Sequence, residues 1–203
     1  MPASSLNLKP ALSDLSLSKR LVLVHASPVV VSQILLDSLL ETTGGFITPT
    51  FTPKSLLPVD FHPIHTQADV STLAEPFTMS TPADEAFGPF PELVRKHDKA
   101  KRSIHPVLSF AGIGADAVIH TQTAHEPYAP IASLAEQDGL ILLVGMDQRV
   151  NFSIHYSEKL AGRMQFIRWA LTDGQRYCAE LGYAPLPKAV VAQELEALKR
   201  VKE

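Results

Sequence analysis

Between Arg20 and Pro49 the chain reads as strand, helix, strand, and no other stretch constrains its fold as much. Arg20-Leu-Val-Leu-Val-His25 is a nearly unbroken apolar run, the pattern of a strand covered on both faces. Ser32 to Glu41 places Ile34, Leu35, Ser38 and Leu39 near helical spacing, and Gly44 and Gly45 supply the stop. Phe46-Ile-Thr-Pro49 then reads as a second short strand. A strand followed by a crossover helix and another strand builds parallel pairing. The expected class is therefore α/β, with a central mixed or mostly parallel sheet flanked by helices.

Further along, Leu140-Ile-Leu-Leu-Val144 is the clearest buried strand, ended by Gly145. Helices are expected over Pro91–Lys101 and Pro130–Glu136. Ser103 to Phe110 leads to a short strand, and Ala111 to His120 turns into a helix through Gly112 and Gly114. From Thr50 to Phe87 prolines recur with little periodicity. A loop this long inside a compact domain is usually functional, so it is read as an active-site loop. Toward the end, Arg168–Leu181 is helix-like, residues 182–187 form a rigid extended turn, and Ala189–Lys202 is an amphipathic helix. The expected division is an N-terminal extension (1–19), a main domain (20–163) and C-terminal helices (164–203).

Composition excludes several classes. With 18 basic and 21 acidic side chains the formal charge is -3, which leaves no electrostatic footprint for nucleic acid. A single cysteine, Cys178, rules out a disulfide framework and a cysteine-rich zinc site. No apolar run reaches the roughly 18 residues needed to span a membrane. Met1 to Lys19 lacks a basic start followed by an unbroken apolar stretch, so a cytoplasmic location is expected. No metal is expected either: His62 and His65 lie in the proline-rich loop, and no histidine pair has a metalloprotease-like spacing. Gly112-Ile-Gly114-Ala-Asp-Ala117 spells a dinucleotide fingerprint, but in the middle of the chain and without a clear βαβ context.

Three segments carry candidate chemistry. In Arg102-Ser-Ile-His-Pro-Val-Leu-Ser-Phe110, the proline after His105 fixes the backbone of an imidazole that would suit a general base. The plainer alternative is a surface histidine capping a loop. Asn151-Phe-Ser-Ile-His-Tyr-Ser-Glu158 follows a strand end, where ligands of α/β sheets usually sit. A carboxylate there would orient a histidine or hold a cation; otherwise Glu158 is simply solvated. Gly88-Pro-Phe-Pro-Glu92 puts an acid on the first turn of a helix, where it also complements the helix dipole.

Taken in order, these segments resemble the aminoglycoside 3-N-acetyltransferase family. Leu21 to Ser27 resembles its opening strand and VHxS turn, and Gly45 to Thr52 its GTLVMPTFT segment. Gly88 to Glu92 is similar to its MGxxxE box, and Arg102 to Phe110 to RSxHPxxSF almost letter for letter. His125 to Leu134, Leu142 to Gly145, and Asn151 to Glu158 resemble the HxxPFGxxSPL stretch, the LLLG strand and the NTSxHxAE box. The likeness covers roughly residues 20–163. The family's glycine-bearing loop after VHxS is replaced by Pro28-Val-Val-Val31, Ala129 stands for a glycine, and Ala132-Ser133 stands for Ser-Pro. The chain also ends before the family's closing region. Separately, Phe166 to Pro187 resembles the C-terminal end of periplasmic phosphate-binding proteins, without any of their phosphate ligands.

The resemblance implies acetyl transfer from acetyl-CoA to an amine of an aminoglycoside-like aminosugar. An acceptor amine, largely protonated near neutral pH, must lose a proton before it attacks the thioester. His105 is then the implied base, oriented by Glu158 or Glu92. Glu92, Asn151, His155 and Glu158 are the implied substrate contacts, and Ser27, Thr50, Thr52 and Ser109 the cofactor contacts. The partners are a small-molecule aminosugar and, at most, a second copy of the chain in a homodimer. The alternatives are a non-catalytic member that kept the fold as a binding protein and, ranked lowest, a phosphate-binding fragment.

Overall fold

The computed structural model describes residues 8–57, 73–180 and 184–200, which fall into two compact units, Met1–Asn151 and Phe152–Glu203. The first opens with α1 (Leu8–Ser13), β1 (Leu21–Ala26), α2 (Ser32–Thr42) and β2 (Gly45–Pro49). Two 3₁₀ turns, Pro53–Ser55 and Glu85–Phe87, lie in the proline-rich stretch, of which residues 58–72, with His62 and His65, lie outside the described residues. Then come α3 (Pro89–Arg95), β3 (Lys101–Arg102), β4 (Phe110–Ile113), α4 (Asp116–Ile119), α5 (Ala129–Glu136) and β5 (Leu140–Val144).

The five strands form one mixed sheet in the order β3-β4-β2-β1-β5. β1 pairs in parallel with both β2 and β5. β4 runs antiparallel to both β2 and β3. Val22 aligns with Phe46, so Val22, Val24 and Phe46 share a face with Leu35, Leu36 and Leu39 of α2 and Phe90 and Val94 of α3. Leu23 and Ile47, which alternate with them, are equally buried, and α5 packs on β1. Coverage on both faces explains why β1 has no polar alternation. The expected N-terminal extension is part of this packing from residue 8 on, because Leu12 and Leu17 are buried in the same cluster.

The expected helix over Pro91–Lys101 is shorter and earlier. It starts with Pro89 in its first turn and ends at Arg95, and Lys101 and Arg102 pair instead with Gly112 and Ala111. The glycines of the apparent dinucleotide fingerprint serve this pairing. A Cβ on Gly112 would lie 2.1 Å from the Phe46 carbonyl oxygen, and Gly114 turns the chain at φ +68°. The strand they end is antiparallel to its neighbours, so the parallel βαβ frame of a dinucleotide site is absent there.

In the second unit, α6 (Ser153–Leu171) leads through a 3₁₀ turn (Asp173–Tyr177) to α7 (Lys188–Leu198), and α6 contacts both. Gln175 ties the unit together: its Nε2 donates to the Ala170 carbonyl (2.6 Å), and its Oε1 accepts from the Leu186 N–H (2.7 Å). The segment 151–158, expected as a loop with a first helical turn, is mostly the start of α6. The expected boundary at 163/164 falls inside that continuous helix. The helix expected over Arg168–Leu181 stops at Leu171, where Thr172 leaves helical geometry at φ -117°, ψ -97°. Among the described residues no helix is long and apolar enough to cross a membrane.

Candidate functional site

The parallel strands β1, β2 and β5 end together, at the edge of an α/β sheet where ligands collect. At the end of β1, His25 is 7% exposed, its Nε2 is shut from solvent without a partner, and burial lowers its pKa to about 4. The ring is therefore neutral at ordinary pH. It lines a pocket of about 140 Å³ with Ala26, Thr48, Pro49, Phe87 and Met146 among its walls. The next residue but one, Ser27, is half-buried in a turn whose N–H donates to the Val144 carbonyl (2.9 Å). That turn leads into α2, which has no side-chain cap; the hydroxyl of its first residue, Ser32, is buried without a partner.

Beyond β2 the framework is held by Arg102. Its guanidinium donates to the Thr50 carbonyl (2.9 Å), the Ser109 hydroxyl (3.1 Å) and the carbonyls of Met79 (3.2 Å) and Thr81, and it lies 4.9 Å from the Phe77 ring centre. Burial and the nearby Arg95 lower its pKa to about 10, so it stays charged. Ser109 Oγ in turn donates to the Thr50 carbonyl (2.8 Å), and the two hydroxyls lie 3.1 Å apart. Thr50 and Ser109 are wholly buried. In this structure their hydroxyls join the ends of β2 and β4 and are not presented to a ligand.

Thr52 is placed differently. Its N–H donates to the Val107 carbonyl (2.9 Å) and its hydroxyl to the Pro106 carbonyl, which fixes the turn carrying His105. His105 is half-buried, and burial lowers its pKa. Its Nδ1 accepts from the backbone N–H groups of Val107 (3.2 Å) and Leu108 (3.0 Å). With that lone pair engaged, the neutral ring carries its proton on Nε2. Gln122 buttresses the same turn, donating from Nε2 to the carbonyls of Leu108 (2.8 Å) and Pro127 (2.7 Å). Neither Gln122 nor Arg102 stood out as a candidate. Arg102 at least sits within the RSxHP segment, whereas nothing local marks Gln122.

Thr52 also lines the larger pocket, about 340 Å³, with Lys54, Glu75, Asp84 and Glu85 on its walls. Among the described residues, three acids against one lysine give it a negative balance. Glu92 stands behind that wall: its Oε2 accepts from the Ala83 N–H (3.1 Å) and from Arg95 Nε (2.8 Å), and its Oε1 from Arg95 (2.6 Å). Arg95, foremost, holds its pKa down to about 2, and Lys96 lies 3.1 Å away. Both carboxylate oxygens are thus occupied by protein donors.

Asn151 closes the first unit, where its amide donates to Gln148 Oε1 (2.8 Å). In the second, His155 Nδ1 lies 3.0 Å from Glu158 Oε2, one turn along α6, with both side chains largely exposed. The sequence spacing of this box is therefore a helical i, i+3 pair. Among the described residues no group of three His, Cys, Asp or Glu side chains is disposed to hold a metal.

Comparison with known proteins bears on the chain's family and fold. Aminoglycoside N(3)-acetyltransferase VII of Streptomyces paromomycinus is 35% identical over 104 residues, which are 46% of this chain and 36% of that protein. The structure of AAC-VIa bound to sisomicin is similar at TM-score 0.59 and 28% identity, covering 72% of this chain and 60% of the other. That of AAC-IIIb in a binary complex with CoASH is similar in fold at TM-score 0.54 and 22% identity, covering 67% and 57%. The chain thus spans little more than a third of that curated relative and under two thirds of the solved ones. The family model for aminoglycoside 3-N-acetyltransferase matches residues 16–181, and the chain belongs to that family.

Proposed function

We propose that this chain transfers an acetyl group from acetyl-CoA to an amine of an aminoglycoside-like aminosugar. The observation that carries this reading is that Thr52, which lines the acidic pocket, also braces the turn that carries His105. Glu75, Asp84 and Glu85 suit a polycation, whose ammonium groups gain from negative partners. Asn151 supplies a further substrate contact on the first unit; in the second unit, taken by itself, His155 and Glu158 form a substrate-contacting pair, with Glu158 set to hold the His155 ring. Glu92 serves as a positioning residue, since its carboxylate is committed to Arg95. The Ser27 hydroxyl and the N–H groups at the uncapped start of α2 are the donors offered to the donor's phosphates. Thr52 borders its path, and Thr50 and Ser109 brace that edge from within.

Acetyl-CoA supplies an activated thioester; the chain's own task is to bring the amine to it and remove the amine's proton. For His105 to do this, the ring must release a lone pair now held by Val107 and Leu108, and a turn about its Cβ–Cγ bond achieves that. The same hydrogen bonds favour a second reading, in which His105 keeps its proton and donates from Nε2 to the thioester oxygen.

A thiol-release assay with acetyl-CoA across a panel of aminoglycosides tests the reading. Release with at least one of them is expected. No acetyl-CoA binding by calorimetry at millimolar concentration would make the chain a binding protein that kept the fold. His105→Ala should lower kcat by on the order of a hundredfold or more while leaving sugar binding nearly intact. His105→Gln separates the roles: an equal loss supports the base, whereas a rate within about tenfold of the parent assigns the donor.

A further inference from the structure

Two pockets open along the exit of β2, and the 3₁₀ turn Glu85–Phe87 stands between them. Glu85 faces the acidic pocket of about 340 Å³, while Ala86 and Phe87 line the one of about 140 Å³. The smaller pocket has the opposite chemistry. Ala26, Pro49, Phe87, Pro91, Met146 and Val150 make most of its wall, and among the described residues no carboxylate, lysine or arginine borders it. Its polar members are Thr48, whose hydroxyl already donates to the Val24 carbonyl (3.0 Å), and His25, which burial keeps neutral. A cationic sugar gains nothing there. The pocket sits where three parallel strands end, next to the Ser27 turn, with β1 between neighbours on either side. Such a place is a crevice for ligands in an α/β sheet.

We infer that this smaller pocket receives the acyl end of the thioester, and that it accepts linear acyl groups longer than acetyl. The inference rests on the acetyl-transfer reading and extends it to the donor's acyl specificity. Size carries the second half: a cavity of about 150 Å³ with apolar walls holds a benzene molecule. A pocket of about 140 Å³ is therefore much larger than one methyl group needs. The chemistry of transfer is unchanged: the acyl carbon leaves sulfur and joins the amine nitrogen, and the amine's proton ends on the thiolate.

The test compares acetyl-, butyryl- and hexanoyl-CoA with an active aminoglycoside, together with calorimetric binding of butyryl-CoA and free CoA. Each buried methylene tightens binding by about fourfold. Butyryl-CoA should accordingly bind at least about tenfold more tightly than CoA, and its kcat/KM should stay within about tenfold of the acetyl value. Ala86 is exposed at the pocket's rim, so Ala86→Phe narrows it without disturbing the core. It should shift the butyryl-to-acetyl preference by at least about tenfold toward acetyl. Turnover of acetyl-CoA with rejection of butyryl-CoA overturns this inference and leaves the acetyl-transfer reading standing. Absence of turnover with every thioester sinks that reading; butyryl-CoA binding no tighter than CoA then overturns the inference as well.

Discussion

His25 makes the stability of this fold depend on pH in a window of its own. The ring is 7% exposed, its Nε2 has no partner, and burial lowers its pKa from 6.5 to about 4. In the unfolded chain the same ring takes its proton near pH 6.5. Between these values the unfolded state holds more protons, so stability falls as the pH falls through the window, and the loss is complete below about pH 4. From about pH 7.5 down to about pH 5 the loss attributable to His25 is about 2 kcal/mol. Glu92 hardly interferes, because its depressed pKa gives a contribution that is intact above about 4.5 and lost only below that. Urea denaturation of the parent and of His25→Phe at both pH values measures the difference. The phenylalanine variant should lose about 2 kcal/mol less on acidification. It should match or exceed the parent at pH 7.5, because a buried unpaired nitrogen costs about 1–3 kcal/mol. Should that variant fail to fold, His25→Gln makes the same comparison. Equal losses in parent and variant would show that His25 titrates as an exposed histidine, and the buried placement would be refuted.

Two further perturbations probe the framework. Gly112→Ala would place a Cβ 2.1 Å from the Phe46 carbonyl oxygen and 2.9 Å from Ile47. It should cost about 3 kcal/mol, a fall in Tm on the order of 10 °C by calorimetry; a fall below about 2 °C would mean β4 is not seated against β2. Arg102→Lys keeps the charge but loses the fork that reaches Thr50, Ser109, Met79 and Thr81. Urea denaturation should show a loss of about 2–4 kcal/mol, and proteolysis near Met79–Thr81 should quicken. Unchanged stability and cleavage would deny Arg102 that role.

Much of the framework is legible in the sequence. The β1–α2–β2 unit, β5 and α5 appear within a few residues of their expected places, because burial on two faces writes a local apolar pattern that periodicity detects. The turn at His105 was marked by its proline and by its match to a family segment. The pairing of Lys101 and Arg102 with β4 was not legible: a two-residue strand has no period to read. Nor was the continuity of α6, whose polar and apolar residues are mixed around its surface.

The sequence by itself determined an α/β chain, its parallel core unit, its negative balance and the order of segments that mark its family. Only the tertiary structure decided what the polar side chains do. Arg102 meets Thr50 fifty-two positions away, and Thr50 meets Ser109 across fifty-nine. Glu92 is occupied by Arg95, Thr52 braces the His105 turn, and His25 is buried without a partner. The physical reason is that an apolar pattern follows from neighbours along one chain segment. A hydrogen-bond partner, or the lack of one, is set by which distant segments the sheet brings side by side.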